Sequence, residues 1–315
     1  METAIEVRGL VKTYPRGIRA LDGLSFTVPA GILFALLGPN GAGKSTTVKI
    51  LTTLSRADEG SAQVAGLDVR RHPDRVRRVI GVVGQKASAD PNATGKENLA
   101  LQGRVYGLRR RALADRIDEL LDQLELSRAA GRLVRTYSGG MKRRLDIAMG
   151  LIHRPEVLFL DEPTVGLDTE IRAQIWEDLA KLVHQDGITI LVTTHYLEEA
   201  DRLASQLAIV DDGKVVVTGT PSGLKDGLRG DSLYINLSES VVAGEVGRAL
   251  GGLRSIGEFT ANGRSLCVRT SNGANAIPAV LAALDGYGVG VSSVTMERPS
   301  LDDVYFNYTG KKLSA

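Results

Sequence analysis

The chain of 315 residues has one cysteine, Cys267, so an internal disulfide framework and any multi-cysteine metal site are excluded. Its four histidines, His72, His153, His184 and His195, stand apart and show no metal-ligand spacing. Neither sign of charge dominates. Lys plus Arg total 39 against 37 for Asp plus Glu, and a net charge of +2 carries no bulk affinity for polyanions, so no nucleic-acid partner is expected. No apolar run reaches the roughly 18 to 20 residues that a bilayer span needs. The start, Met1-Glu2-Thr3-Ala4-Ile5-Glu6, is acidic and lacks an export core. A cytosolic protein is expected, whose membrane role, if any, comes through a partner. What is present is an ordinary globular composition, 43% hydrophobic and 24% charged. The length predicts two domains, or one large domain with an appendage.

Residues 1–220 alternate apolar runs with amphipathic stretches. Three runs are short, unbroken and end in polar residues: Ile32–Leu37 before glycine, Val157–Leu160 before acid, and Ile188–Val192 before Thr193-Thr194-His195. Such runs suit parallel strands buried on both faces. Ligands of open α/β sheets bind at the carboxyl ends of strands, so the three ends predict one shared site. Between them Leu113, Ile117, Leu120, Leu121 and Leu124 fall at helical spacing. The intervening charges, Arg116 among them, are expected on a solvated face, and Arg109-Arg110-Arg111 is expected as an exposed turn at the start of that helix. After Thr220-Pro221-Ser222-Gly223 the pattern becomes strand (232–237), helix (241–253), two strands around Ala261-Asn262-Gly263, helix (about 274–285) and strand (about 288–296). Asn-Gly is a strong hairpin signal. The order β-α-β-β-α-β predicts a small ferredoxin-like domain.

Gly38-Pro39-Asn40-Gly41-Ala42-Gly43-Lys44-Ser45 fits G-x-x-x-x-G-K-[ST], with a strand before it and a helical run, Thr46 to Leu51, after it. Glycines let successive N–H groups curl inward as an anion nest, and the helix N-terminus adds positive potential. Lys44 is expected on the β- and γ-phosphates and Ser45 on Mg²⁺. Asp161 and Glu162 follow the second run. Alone they could be two capping acids before Pro163. Beside a phosphate loop, Asp161 is expected as an outer Mg²⁺ ligand and Glu162 as the carboxylate that orients and deprotonates water. His195, at the third strand end, is placed to donate to the γ-phosphate. The other three histidines are expected to be structural.

Together these residues resemble the nucleotide-binding subunits of ABC transporters. Tyr137-Ser138-Gly139-Gly140-Met141 is similar to the family's Leu-Ser-Gly-Gly-Gln signature, with Tyr137 and Met141 departing from it. Gln85 resembles the Q-loop glutamine, Val165-Gly166-Leu167-Asp168 the D-loop, and Tyr14 the aromatic that stacks on adenine. The resemblance covers about residues 4–220 and implies a P-loop α/β core. With the change of pattern after Gly223, it divides the chain into a nucleotide-binding domain at 1–222, with a helical subdomain at about 89–144, and an α+β accessory or dimerisation domain at 228–315. It implies that Tyr14 and Gly38 through Ser45 with Thr46 hold ATP, that Gln85 joins Ser45 and Asp161 around Mg²⁺, and that Glu162 and His195 are catalytic. Two copies would close head to tail, so that Ser138, Gly139, Gly140 and Asp168 act in trans. Taken alone, Ser-Gly-Gly reads as a plain helix cap and turn.

Thr94-Gly95-Lys96-Glu97-Asn98-Leu99, the segment Tyr137–Arg144, Thr194 through Arg202 and the tail Leu301-Asp302-Asp303-Val304-Tyr305-Phe306 are similar to the daunorubicin-resistance-type ATPases. That resemblance implies a homodimeric ATPase working with a separate membrane-spanning permease, peripheral on the cytoplasmic face of the membrane, and exporting drugs or other amphiphiles. The tail is expected either to support dimer assembly or to cap its own domain. Alternatives are an importer ATPase and a soluble ABC ATPase acting on ribosomes or DNA. The single phosphate loop, and the absence of a long coiled coil between Lys44 and Asp161, argue against the second.

Overall fold

The computed structural model describes residues 2–310 apart from 229, 240–242, 254–255, 271–272 and 298. The chain divides into two compact units, the first running to Pro221 and the second starting at Ser222.

The first unit opens with two long strands, β1 (Thr3–Tyr14) and β2 (Ile18–Pro29), paired antiparallel through a three-residue turn. Next come β3 (Leu33–Leu37), α1 (Lys44–Leu51), β4 (Glu59–Val64), β5 (Leu67–Asp68), α2 (Pro73–Val79) and β6 (Ile80–Val83). The helical insert is α3 (Gly95–Val105), α4 (Arg110–Gln123) and α5 (Gly139–Leu151). Then follow β7 (Val157–Asp161), α6 (Thr169–Asp186), β8 (Thr189–Thr194), α7 (Leu197–Leu203), β9 (Gln206–Asp211) and β10 (Lys214–Gly219). One sheet has the order β2-β1-β4-β5; the other has the order β10-β9-β3-β8-β7-β6. In the second sheet every neighbour is parallel except the edge strand β10. All five residues of β3 and all six of β8 are buried, which accounts for their unbroken apolar runs. Phe34 of β3 stacks on Phe26 of β2 at 5.6 Å, joining the two sheets in one core.

Local capping chemistry sets the insert. Thr94 Oγ1 accepts from Glu97 N (3.1 Å) and Glu97 Oε2 accepts from Thr94 N (2.7 Å), a reciprocal cap that starts α3. Leu113, Ile117, Leu120 and Leu121 are buried along α4, as their spacing predicts. Arg116 departs from expectation. It is 7% exposed and donates to the carbonyls of Leu151 (2.7 Å) and Ile152 (3.4 Å), with Glu119 as its ionic partner. Its reach to the open end of α5 turns it inward; uncapped C-terminal carbonyls favour a cation.

The second unit begins within α8 (Pro221–Asp226) and contains β11 (Asp231–Leu237), α9 (Ala243–Leu250), β12 (Ile256–Asn262), β13 (Ser265–Thr270), α10 (Gly273–Gly286), β14 (Val291–Glu297) and α11 (Leu301–Thr309). The antiparallel sheet order β12-β13-β11-β14 is that of a ferredoxin-like fold. The first two residues of the expected helix at 241–253 lie outside the described residues, as do residues 311–315 of the expected second domain. Leu233, Ile235 and Leu237 on one face of β11 pack into a core with Val246, Val280 and Leu284 of the helices. The tail helix α11 starts with a second reciprocal cap, Ser300 with Asp303, and buries Leu301, Val304 and Tyr305 within the chain.

Candidate active site

The phosphate loop bridges β3 and α1. Gly43 has φ +108°, and a Cβ there would lie 2.6 Å from the Ala20 carbonyl oxygen, so only glycine admits both the turn and the close approach of β2. The same approach carries the β1–β2 hairpin, with Tyr14 paired opposite Ile18 at its tip, to the side of the loop. Tyr14 is half-buried, with the Lys12 ammonium 5.8 Å from its ring centre. Lys44 is 4% exposed, and its Nζ donates to the carbonyls of Gly38 (2.7 Å) and Pro39 (3.0 Å). Burial pushes its pKa below that of an ordinary lysine, while Glu162 and Asp161 draw it back up.

Parallel neighbours β3, β8 and β7 end side by side, and their ends converge as the apolar runs predict. Ser45 Oγ donates to Asp161 Oδ1 (3.1 Å), and Thr193 Oγ1 donates to the same oxygen (2.7 Å). Glu162 N donates to Thr193 Oγ1 (2.9 Å) and to the Thr193 carbonyl (3.2 Å). These bonds hold Glu162 at φ +47°, a strained angle for a residue with a Cβ. The turn aims its carboxylate between an ammonium and an imidazole: Oε1 lies 3.7 Å from Lys44 Nζ and 3.7 Å from His195 Nδ1. His195 Nδ1 is buried with no hydrogen-bond partner among the described residues.

Gln85 is exposed two residues past β6, the strand beside β7. The segment is clamped by α5: Arg143 Nη1 donates to the Gly84 carbonyl (2.7 Å), and Asp146 accepts from Ser88 N (2.9 Å) and Oγ (2.8 Å). Among the described residues no group of three His, Cys, Asp or Glu side chains could hold a metal ion. The Ser45 hydroxyl and Asp161 carboxylate form a pair of hard oxygen donors. Such a pair suits Mg²⁺ whose remaining positions come from phosphate and water.

Ser138 caps α5, its Oγ accepting from Met141 N (3.3 Å), and Asp168 caps α6, accepting from Ile171 N (2.9 Å). The two caps sit together in one chain. A Cβ on Gly140 would lie 2.7 Å from Ile171 Cγ2, and one on Gly139 would lie 3.1 Å from Leu167 Cδ2. The departure at position 137 has a structural cause. Tyr137 is 5% exposed, its hydroxyl donates to the Ala129 carbonyl (2.7 Å), and a Cβ on Gly95 would collide with that hydroxyl. Its side chain therefore packs at the start of α3. Tyr137→Phe leaves the Ala129 carbonyl without its donor, so thermal or denaturant unfolding is expected to show a loss of about 1 to 3 kcal/mol, with ATP affinity unchanged.

His153 packs flat on Tyr106 (ring centres 3.7 Å apart) with Nε2 2.8 Å from the Ile80 carbonyl, and burial holds its pKa down. Sequence reading missed Thr193 as a bracket for the two acids, although it stood in the Thr193-Thr194-His195 run. It also missed Arg143, Asp146, Arg172 and Glu199; no periodicity marks a charge whose partner is remote.

Residues 21–165 match the ABC transporter family model. Over 308 residues the chain is 44% identical to the daunorubicin/doxorubicin resistance ATP-binding protein DrrA of Streptomyces peucetius, covering 98% of this chain and 92% of that one. It is 44% identical to the Nod factor export ATP-binding protein I of Ralstonia nicotianae, over 70% of this chain and 68% of that one. A dimeric ATP-binding cassette solved with ADP and phosphate superposes with a TM-score of 0.62 at 28% identity, over 69% of this chain and 98% of that one. Fold, phosphate loop and near-full-length identity agree: the chain belongs to the ATP-binding subunits of ABC transporters, of the daunorubicin-resistance type.

Proposed function

We propose that this chain hydrolyses ATP to ADP and phosphate and thereby powers export of drugs or other amphiphilic compounds. One observation carries the chemistry: the Glu162 carboxylate stands between Lys44 and His195, next to the Ser45–Asp161 pair. Gly38 to Thr46 wrap the phosphates with backbone N–H groups, and Lys44 neutralises the β- and γ-oxygens. Tyr14 stacks on the adenine. Ser45, Asp161 and Gln85 hold Mg²⁺, which neutralises developing phosphate charge when bound. Glu162 accepts the proton of the attacking water and aligns it; His195 donates to the γ-phosphate.

In this reading a second copy completes each site. Ser138, Gly139, Gly140 and Asp168 sit at helix starts, where a hydroxyl and free backbone amides suit an anion arriving from the partner's phosphate loop. The name of the Nod factor relative supports export over import. The domain at 1–222 is the motor, and 228–315 is the accessory or dimerisation domain. No described helix is long and apolar enough to cross a membrane. A separate permease supplies that path, holding the chain at the cytoplasmic face. Leu101 and Val105 of α3, 63% and 73% exposed, offer it an apolar footing on the helical insert.

A mixing experiment tests the composite site. Ser138→Arg puts a bulky cation at the cap of α5. It is expected to leave ATP binding to the monomer within about threefold, and to abolish ATP-driven dimerisation and turnover. Mixed with Lys44→Ala it can rebuild at most one site per heterodimer, so part of the activity returns. Wild-type turnover by Ser138→Arg alone would refute the shared site.

A further inference from the structure

A second set of polar groups, part buried and part half-buried, lies beside the reacting ones. Glu199, on α7, accepts from Trp176 Nε1 (2.7 Å) and from Thr164 Oγ1 (3.0 Å), both at Oε2. Its other oxygen, Oε1, lies 3.8 Å from Arg172 Nη1. The Arg172 guanidinium stands 4.5 Å over the Tyr196 ring, and that ring packs at 4.1 Å, tilted 40°, on the ring of His195. Thr164 follows the catalytic pair by two residues, whereas Trp176 and Arg172 belong to α6, the helix capped by Asp168. Glu199 therefore touches both the segment that follows Glu162 and the helix capped by Asp168, without touching the reacting groups.

We infer that Glu199 is a positioning residue: through Arg172 and Tyr196 it fixes the His195 ring, and through Thr164 and Trp176 it ties that ring to the Glu162–Asp168 segment. The inference rests on the ATPase reading above. A carboxylate suits the task because one oxygen accepts from two donors while the other faces the guanidinium as its ionic partner. Orphaned nitrogens mark where the alignment is demanding: His195 Nδ1 and Arg172 Nε are both buried without a partner among the described residues. Burial raises the Glu199 pKa, and Trp176, Thr164, Arg172 and His195 oppose that rise, so the charge is held by its neighbours rather than by water.

Trp176 is the one tryptophan of the chain, so its emission reports on this junction alone. Glu199→Gln keeps an oxygen for Trp176 and Thr164 but turns an NH₂ toward Arg172, which releases the guanidinium from Tyr196. In the full-length chain kcat is expected to fall about tenfold to a hundredfold, the cost of a misplaced catalytic group. The KM for ATP should stay within about twofold, and Trp176 emission, expected to change with Mg²⁺ and ATP in the wild type, should not respond in the variant. Should Glu199→Gln not fold, Arg172→Met breaks the same link from a partly exposed position and should give the same split. Turnover within twofold of wild type in the folded variant overturns the positioning role. So does a loss carried by KM alone. A wild-type chain that turned over no ATP would overturn the ATPase reading itself, a different outcome from an active wild type with indifferent variants.

Discussion

Glu162→Gln is expected to bind ATP at least as tightly as the wild type, to hydrolyse it roughly 10²- to 10⁴-fold more slowly, and to accumulate as an ATP-bound dimer. The geometry gives the reason for each part. Glutamine keeps the side-chain length and can still meet Lys44 and His195, each 3.7 Å from Oε1, but it cannot take a proton from water. Loss of the carboxylate charge also removes a repulsion from the γ-phosphate, which lowers the energy of the closed, ATP-bound state. The backbone of residue 162 is held by Thr193 through two bonds to its N–H, so the substitution should leave the strained turn in place. Size-exclusion chromatography with ATP and Mg²⁺, beside a phosphate-release assay, measures both halves. Wild-type turnover would reduce Glu162 to a structural cap.

Lys44→Ala is expected to weaken ATP binding roughly 30-fold to several thousandfold, the range for removing one partner of a buried, hydrogen-bonded charge pair, about 2 to 5 kcal/mol. Two effects combine. The phosphates lose their nearest cation, and the loop loses the ammonium that draws the Gly38 and Pro39 carbonyls together at 2.7 and 3.0 Å. Glu162 and Asp161 then face the γ-phosphate with no lysine to balance them. Titration calorimetry with Mg²⁺ and ATP gives the result directly, and circular dichroism checks that the fold survives. An unchanged affinity would remove the phosphate-loop assignment, and with it the roles given to Asp161 and Glu162.

Much of this is legible in the sequence because its chemistry is local. The phosphate loop fits within eight consecutive residues, since a nest of backbone N–H groups can be built only from neighbours. The buried strands β3, β7 and β8 show as unbroken apolar runs, because a sheet covered on both faces leaves no side chain for water. Alternation in β11 and the Asn-Gly turn between β12 and β13 give away the second unit in the same way. What needed the tertiary structure is every feature whose partner lies far along the chain. Ser45 and Asp161 are 116 positions apart and meet because strand order, not sequence order, places β7 near the loop after β3. Arg116 reads as one more charge on a helix face until the carbonyls of Leu151 and Ile152 are found beside it. Tyr137 reads as a departure from a motif until its hydroxyl is seen on the Ala129 carbonyl. Glu199 lies in a stretch that resembles the family, yet nothing local marks Trp176, Thr164 and Arg172 as its partners. A charge can leave water only where remote donors replace its solvation, and the folded chain alone brings those donors together.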